Sequence, residues 1–274
     1  MARAAHNPLR KSILFTGRGI TSRQDISVEI KQKEPGHGII FEIADKGKYT
    51  SIPALSEYVV NTLRNVVLGN QGKRLCIVEH FLAAASLWGL NDLLITVDGP
   101  EMPLGDGSCQ FWIDLFTKAG WEQQTITAIV EMSKPIICTK GDRLLMAIPD
   151  THFSMSYHMD WPHPLIGKRW QTWDATMDYA KISRARTFGS MAEHKLLGLE
   201  NEVVSLTEDG FSQPLRFEDE PVRHKLLDLI GDLALTGINP MAFKARFVSI
   251  KGGHELDIEL TRFLRGLVIN PKSL

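Results

Sequence analysis

His224, Asp228 and Asp232 recur every four residues along EPVRHKLLDLIGDLALTG, residues 220–237. At 3.6 residues per turn, that spacing sets an imidazole and two carboxylates on one stripe of a helix. A His and an Asp four residues apart can converge on one divalent ion, and both are good zinc donors. The same spacing also suits an exposed helix pair stabilised by only ~0.2–0.5 kcal/mol. Gly231, almost beneath His224, predicts open space above the backbone for a substrate or a third ligand.

Two further segments carry histidines beside groups that make chemistry possible. In IVEHFLAAASLWGL, Glu79 and His80 sit at a strand-to-helix junction. Neighbouring helical residues point about 100° apart, so one can bind an ion while the other stands beside it. His80 as ligand and Glu79 as proton acceptor would follow the logic of zinc hydrolases; a helix-start charge and a surface histidine is the plainer alternative. In KGGHELD, Gly252 and Gly253 predict a tight turn that presents His254 ahead of a helix, a good place for a general acid. A water-exposed turn histidine fits the same residues. ISRARTFGS gathers Arg184, Arg186, Thr187, Phe188 and Gly189, either an anion-binding loop with an aromatic platform or a solvated basic turn.

Positioning these side chains requires a scaffold, and the chain predicts an α+β one. SILFTGRGI, DISVEIKQ and GIIFEI read as strands, IVEHFLAAASLWGL as a helix ending at Gly89, DLLITVDGP as a strand, and SCQFWIDLFTKAGW as a second helix. After the polar EQQT at 122–125, strands recur in TAIVEMSKPIICTK, DRLLMAIP and THFSMSYHMD. A short helix in MDYAKISRARTFG, the helix at 221–236, the strand ARFVSIKG and the helix ELDIELTRFLRGLV follow. Each half thus runs strands, a His-bearing helix, a strand and a helix. This weak repeat of order predicts two similar two-layer α/β sandwich domains, 1–124 with Glu79 and His80, and 125–274 with His224, Asp228, Asp232 and His254.

Bulk composition narrows the partners. The 274 residues are 43% hydrophobic and 23% charged with net charge -1, so no global field favours nucleic acid or an anionic membrane. Cys76, Cys109 and Cys138 are odd in number and form no CxxC pair, which argues against disulfides and a thiolate metal site. No apolar run approaches the ~20 residues of a membrane span, and the basic MARAAHNPLRK is not followed by a secretory apolar core. A cytoplasmic protein acting on a small molecule is expected.

Taken with IVEHFLAAASLWGLNDLLITVDGPEMPLGDGS, ISRARTFG, VRHKLLDLIGDLALTG, KGGHELD, the early TGRGI and PALSEYVVNTLRNVVLG, the whole chain resembles the UDP-3-O-acyl-N-acetylglucosamine deacetylases. These are zinc amidases of lipid A biosynthesis with an active site between two α+β domains. The resemblance implies one Zn2+ (or Fe2+) per chain on His80, His224 and Asp228, with water in the fourth position. It implies Glu79 as general base and His254, oriented by Asp232, as the acid. Thr187 resembles the residue that assists the oxyanion, and Lys225, Arg143, Phe188 and Glu193 resemble substrate-contacting positions.

Two departures stand out. Thr21 occupies the place of the histidine in the family's TG-x-GLH, and only SMAEHKLLGLENE separates Gly189 from VVSL. The family's β-α-β acyl-binding unit at this point is therefore expected to be shortened or absent. Two alternatives remain for the function: a relative that deacetylates another N-acyl amino sugar without a long chain, or a non-catalytic sugar-nucleotide-binding protein.

Overall fold

A computed structural model describes residues 12–127, 129–200 and 202–269. The basic segment MARAAHNPLRK lies outside these residues. The first half contains β1 (Ile13–Arg18), β2 (Asp25–Gln32), β3 (Ile39–Asp45), β4 (Lys48–Pro53), β5 (Val59–Asn61), β6 (Val67–Asn70), β7 (Lys73–Cys76), α1 (Glu79–Trp88), β8 (Leu93–Val97) and α2 (Gln110–Lys118). The second contains β9 (Val130–Glu131), β10 (Ile136–Lys140), β11 (Arg143–Pro149), β12 (Ser154–Trp161), β13 (Gly167–Asp174), α3 (Ala180–Ser183), β14 (Phe188–Ser190), α4 (Met191–Leu197), β15 (Val204–Leu206), α5 (Glu220–Leu233), β16 (Phe243–Ile250) and α6 (His254–Ile269). The mixture of helices and several sheets is the expected α+β class.

Period-two alternation builds the sheets. Ile26, Val28 and Ile30 of β2 and Leu93, Ile95 and Val97 of β8 point inward and are wholly buried. The first sheet runs β1-β2-β8-β3-β4 and the second β10-β11-β16-β12-β13, with β9 added beside β16. In each sheet the latest strand lies between two hairpins, antiparallel to one and parallel to the other. The repeat suggested by element order is thus a repeat of topology, and neither main sheet takes a strand from the other half.

The helices of both halves pack together, and one continuous apolar cluster runs from Ile13 to Leu264. Every residue of α1 is buried. Ala83, Ala84 and Ala85 keep its surface low, and Gly89 closes the helix in the left-handed conformation at φ 76°. Among the described residues no helix is long and apolar enough to cross a membrane.

The segment after Gly189, expected to be a shortened unit or none, forms a short one. β14 and β15 pair in parallel around α4, which makes a complete β-α-β unit, although the helix has only seven residues. Its ends are sharply set: Ser190 Oγ accepts from the Glu193 N–H at 3.2 Å, and Gly198 closes the helix at φ 66°. A capped two-turn helix needs few residues, so a short linker does not remove the unit.

Candidate active site

Two helices bring the chemistry together. α1 and α5 meet at Gly231, where an added Cβ would lie 2.1 Å from the backbone oxygen of Glu79. The open space expected above this glycine is therefore filled: the backbone of the VEH segment occupies it. Ile77, two residues before Glu79, is held at φ 62°, a costly region for a β-branched residue. Its N–H donates to the Val66 carbonyl at 3.1 Å, and Val66 N–H donates to Glu79 Oε2 at 3.1 Å. The bend thus turns Glu79 and His80 toward α5.

His80, His224 and Asp228 are buried and present ligand atoms within 4.8 Å of one another. Asp228 Oδ1 lies 3.2 Å from His224 Nε2 and 3.9 Å from His80 Nε2. His224 Nδ1 donates to the Ala185 carbonyl at 3.1 Å, which turns Nε2 toward the carboxylate. Lys225 Nζ donates to the other oxygen, Asp228 Oδ2, at 2.7 Å. Burial, reinforced by His224, pushes His80 down to about 3, so the ring is neutral. Burial also opposes ionisation of Asp228, yet His224 and Lys225 outweigh it and hold this carboxyl well below the usual range. Two imidazole nitrogens and an otherwise unpartnered carboxylate oxygen face one another in the interior. That donor set fits a divalent cation and suits zinc or ferrous iron.

The other carboxyls surround this cluster. Burial lifts Glu79 to about 8; His254 opposes the shift, while Asp232 and Asp228 add to it. His254, at the start of α6, bonds through Nδ1 to Asp232 Oδ2 at 2.7 Å. Both glycines of the turn before it are needed, and Gly253 lies at φ 158°. Lys251 is left-handed, at φ 52°, and Gly252 is required for space, since a Cβ there would lie 2.2 Å from Ser249 Oγ.

Of the residues expected to contact substrate, Lys225 and Phe188 adjoin the cluster. The Phe188 ring lies 6.4 Å from that of His224 and 5.3 Å from Trp161. Thr187 is partly exposed, and its N–H donates to the Gly107 carbonyl at 2.7 Å. Arg143 and Glu193 have other partners. Arg143 pairs with Glu255 at 2.9 Å, next to His254, and Glu193 pairs with Arg64 at 2.7 Å. Thr21 and Ser22 give backbone N–H groups to buried Glu101, so the TGRGITS loop is wrapped on that carboxylate. Sequence reasoning missed Asp257, three residues after His254 and therefore on the same face of α6, where it is 1% exposed.

Arg186 is neither an anion-binding residue nor a solvated one. It is buried on Glu220, with Nε to Oε1 at 2.8 Å and Nη2 to Oε2 at 3.1 Å. The N–H groups of Arg186 and Arg216 also donate to that carboxylate. This hub fixes the loop whose Ala185 carbonyl holds His224. Burial would raise the Glu220 carboxyl, but the bonds from Arg186 overcome it and leave it below its ordinary 4.5. The stabilisation is thus complete above pH 4.5 and disappears as pH falls through the lowered value. Glu220→Gln should cost about 3 kcal/mol at neutral pH by stranding the buried guanidinium. In urea melts the gap to the parent chain should narrow below pH 4.5; a gap independent of pH would show that the ionised pair is not its source.

Similarity to known proteins agrees with this geometry. The family model described as UDP-3-O-acyl N-acetylglycosamine deacetylase matches residues 6–265. Three curated proteins named UDP-3-O-acyl-N-acetylglucosamine deacetylase illustrate the likeness. The one from Myxococcus xanthus is 37% identical over 93% of this chain and 84% of its own length. Those from Nostoc sp. and Synechocystis sp. are each 34% identical, over 94% and 93% of this chain and 98% and 96% of their own lengths. On that extent of agreement, the chain belongs to the UDP-3-O-acyl N-acetylglycosamine deacetylase family.

Proposed function

We propose that the chain is a metal-dependent amidase that removes the N-acetyl group of a UDP-3-O-acyl-N-acetylglucosamine and releases acetate, as in lipid A biosynthesis. The observation that carries this reading is the convergence of His80, His224 and Asp228, with Glu79 and His254 beside them. Family membership supplies the substrate class.

His80, His224 and Asp228 would hold one divalent cation, zinc by preference. Such an ion supplies Lewis acidity and brings the pKa of a water toward ~7. The residues of this chain divide the rest. Glu79, oriented by the Val66 N–H, takes the proton as the water oxygen bonds to the acetyl carbon. His254, whose Nδ1 is committed to Asp232, presents Nε2 and gives a proton to the sugar nitrogen as the C–N bond breaks. Thr187 assists the developing oxyanion. Lys225 holds Asp228 Oδ2, and Lys225, Phe188, Arg143 and Glu193 are the side chains that this reading sets against the substrate.

The division into domains at 124/125 is part of this reading, supported by two main sheets that exchange no strand. So is a cytoplasmic location, supported by three free cysteines. The test is acetate release from UDP-3-O-acyl-N-acetylglucosamine by metal-loaded protein, compared with the same compound lacking the 3-O-acyl chain. Strong preference for the acylated compound is expected. Absence of cleavage of any N-acetyl sugar would refute the proposal.

A further inference from the structure

Asp257 lies behind His254, and the steps described so far give it nothing to do. It is 1% exposed, and Asp232 is fully buried. The ligand atoms of Asp232, His254 and Asp257 all lie within 4.8 Å of one another. One oxygen of Asp232, Oδ2, is taken by His254 Nδ1; the other, Oδ1, meets no protein donor, and neither does Asp257 Oδ1. The surrounding frame is stiff. Thr261 Oγ1 donates to the backbone oxygens of both Asp257 and Asp232, at 2.7 and 3.2 Å, which ties α6 to α5 at this level.

Two carboxylates and one imidazolium in this space would leave an uncompensated buried negative charge. Buried carboxyls this close do not both ionise; they hold a proton between them. Asp232 has to remain an acceptor toward His254, so the proton belongs on the side of Asp257. We infer that Asp257 is a positioning residue for the acid: its carboxyl donates to the free oxygen of Asp232 and holds that carboxylate against His254 Nδ1.

The surroundings agree with this arrangement. Burial, then the charge of Asp232, raise Asp257 to about 8, with His254 and Lys225 opposing. Burial and Asp228 also raise Asp232 well above the usual carboxylate range, with Lys225 and the bond from Asp257 opposing, so the pair holds one proton between its two carboxyls. The groups facing Asp257 are Asp232, Asp228 and Lys225 from α5, Tyr157 from β12 and His254 from its own helix. Ser249 of β16 stands close by, across Gly252. Loss of the shared proton would leave two carboxylates on one imidazole, overstabilise the imidazolium and make it a poorer acid.

This inference rests on His254 being the acid, so the experiment includes His254→Ala. Asp257→Leu removes the donor at similar size, and Asp257→Asn restores a donor that cannot titrate. The Leu variant should lose kcat on the order of 10²-fold with KM and bound metal unchanged, and the Asn variant should recover most of that loss. The parent kcat should fall as pH rises through about 8, and the Asn variant should lack this fall. Should Asp257→Leu fail to fold, infrared spectra at pH 7 decide. The parent should show the C=O band of a protonated carboxyl that Asp257→Asn lacks, and absence of that band from the parent overturns the inference.

A folded Asp257→Leu variant with parental kcat overturns it too, as does an Asn variant no better than Leu. A second equivalent of bound divalent metal, lost in Asp257→Asn, would instead make the cluster a cation site and equally overturn it. Full activity in His254→Ala would refute the reading of the acid itself. An inactive His254→Ala beside an unimpaired Asp257→Leu would refute only the role of Asp257.

Discussion

Gly231→Ala should disable the protein although it adds only one methyl group, at a residue with no side chain of its own to offer a substrate. The new Cβ would lie 2.1 Å from the Glu79 carbonyl oxygen and 2.9 Å from its Cα. Both are backbone atoms, so no rotamer change relieves the clash; α1 and α5 must separate. Overpacking of this kind costs roughly 3 kcal/mol, equivalent to a fall of about 5 °C in Tm for a chain of this size. The separation acts directly on the site, because His80 is carried by α1, and His224 and Asp228 by α5. Calorimetry and metal analysis on the same preparation should therefore show loss of both stability and bound metal, with activity reduced at least ~100-fold. A variant that melts and binds metal like the parent would mean that the helices do not fix the cluster.

Glu79→Gln tests a different link. Glutamine keeps the size of the side chain and can still accept from the Val66 N–H that now bonds Oε2 at 3.1 Å. It cannot take up a proton. The variant should retain its metal and its melting temperature while kcat falls by roughly 10²–10⁴-fold. KM should change little, since this carboxyl takes a proton and does not hold the substrate. If activity survives, another group takes the proton and Glu79 has only an electrostatic part.

Much of this site was legible before folding was considered, for identifiable reasons. The i, i+4 spacing of His224 and Asp228 is a local property of one helix, and α5 presents them together as that spacing requires. The order of elements likewise foretold the repeat, because sequential hairpins followed by a helix and a strand leave few right-handed solutions.

The errors arose where a neighbour from another segment decides. Gly231 reads as open space from its own helix alone, and only the arrival of Glu79 fills it. Arg186 reads as an anion binder until Glu220, 34 residues away, neutralises it. The β-α-β unit after Gly189 was foreseen as shortened or absent, and the signals that decide for a short unit were present. Ser190 and Glu193 stand in the S-x-x-E spacing of an N-terminal cap, and Gly198 marks the stop. Short strands β14 and β15 carry too few residues to show an alternation of their own. Asp257 went unread because a carboxylate in the first turn of a helix is ordinary; its burial against Asp232 is what makes it unusual.

The convergence of three side chains on a single divalent ion is the claim on which the rest depends, and the metal content of the purified chain tests it most directly. Elemental analysis should find about one zinc or iron per chain, as expected of a site with three protein ligands. A chelator should remove the ion and the acetate-releasing activity together, and added zinc should restore both. His80→Ala and Asp228→Ala should each bind no metal at the concentration that saturates the parent. Protein that is free of metal as purified and works undiminished in chelator would contradict the account.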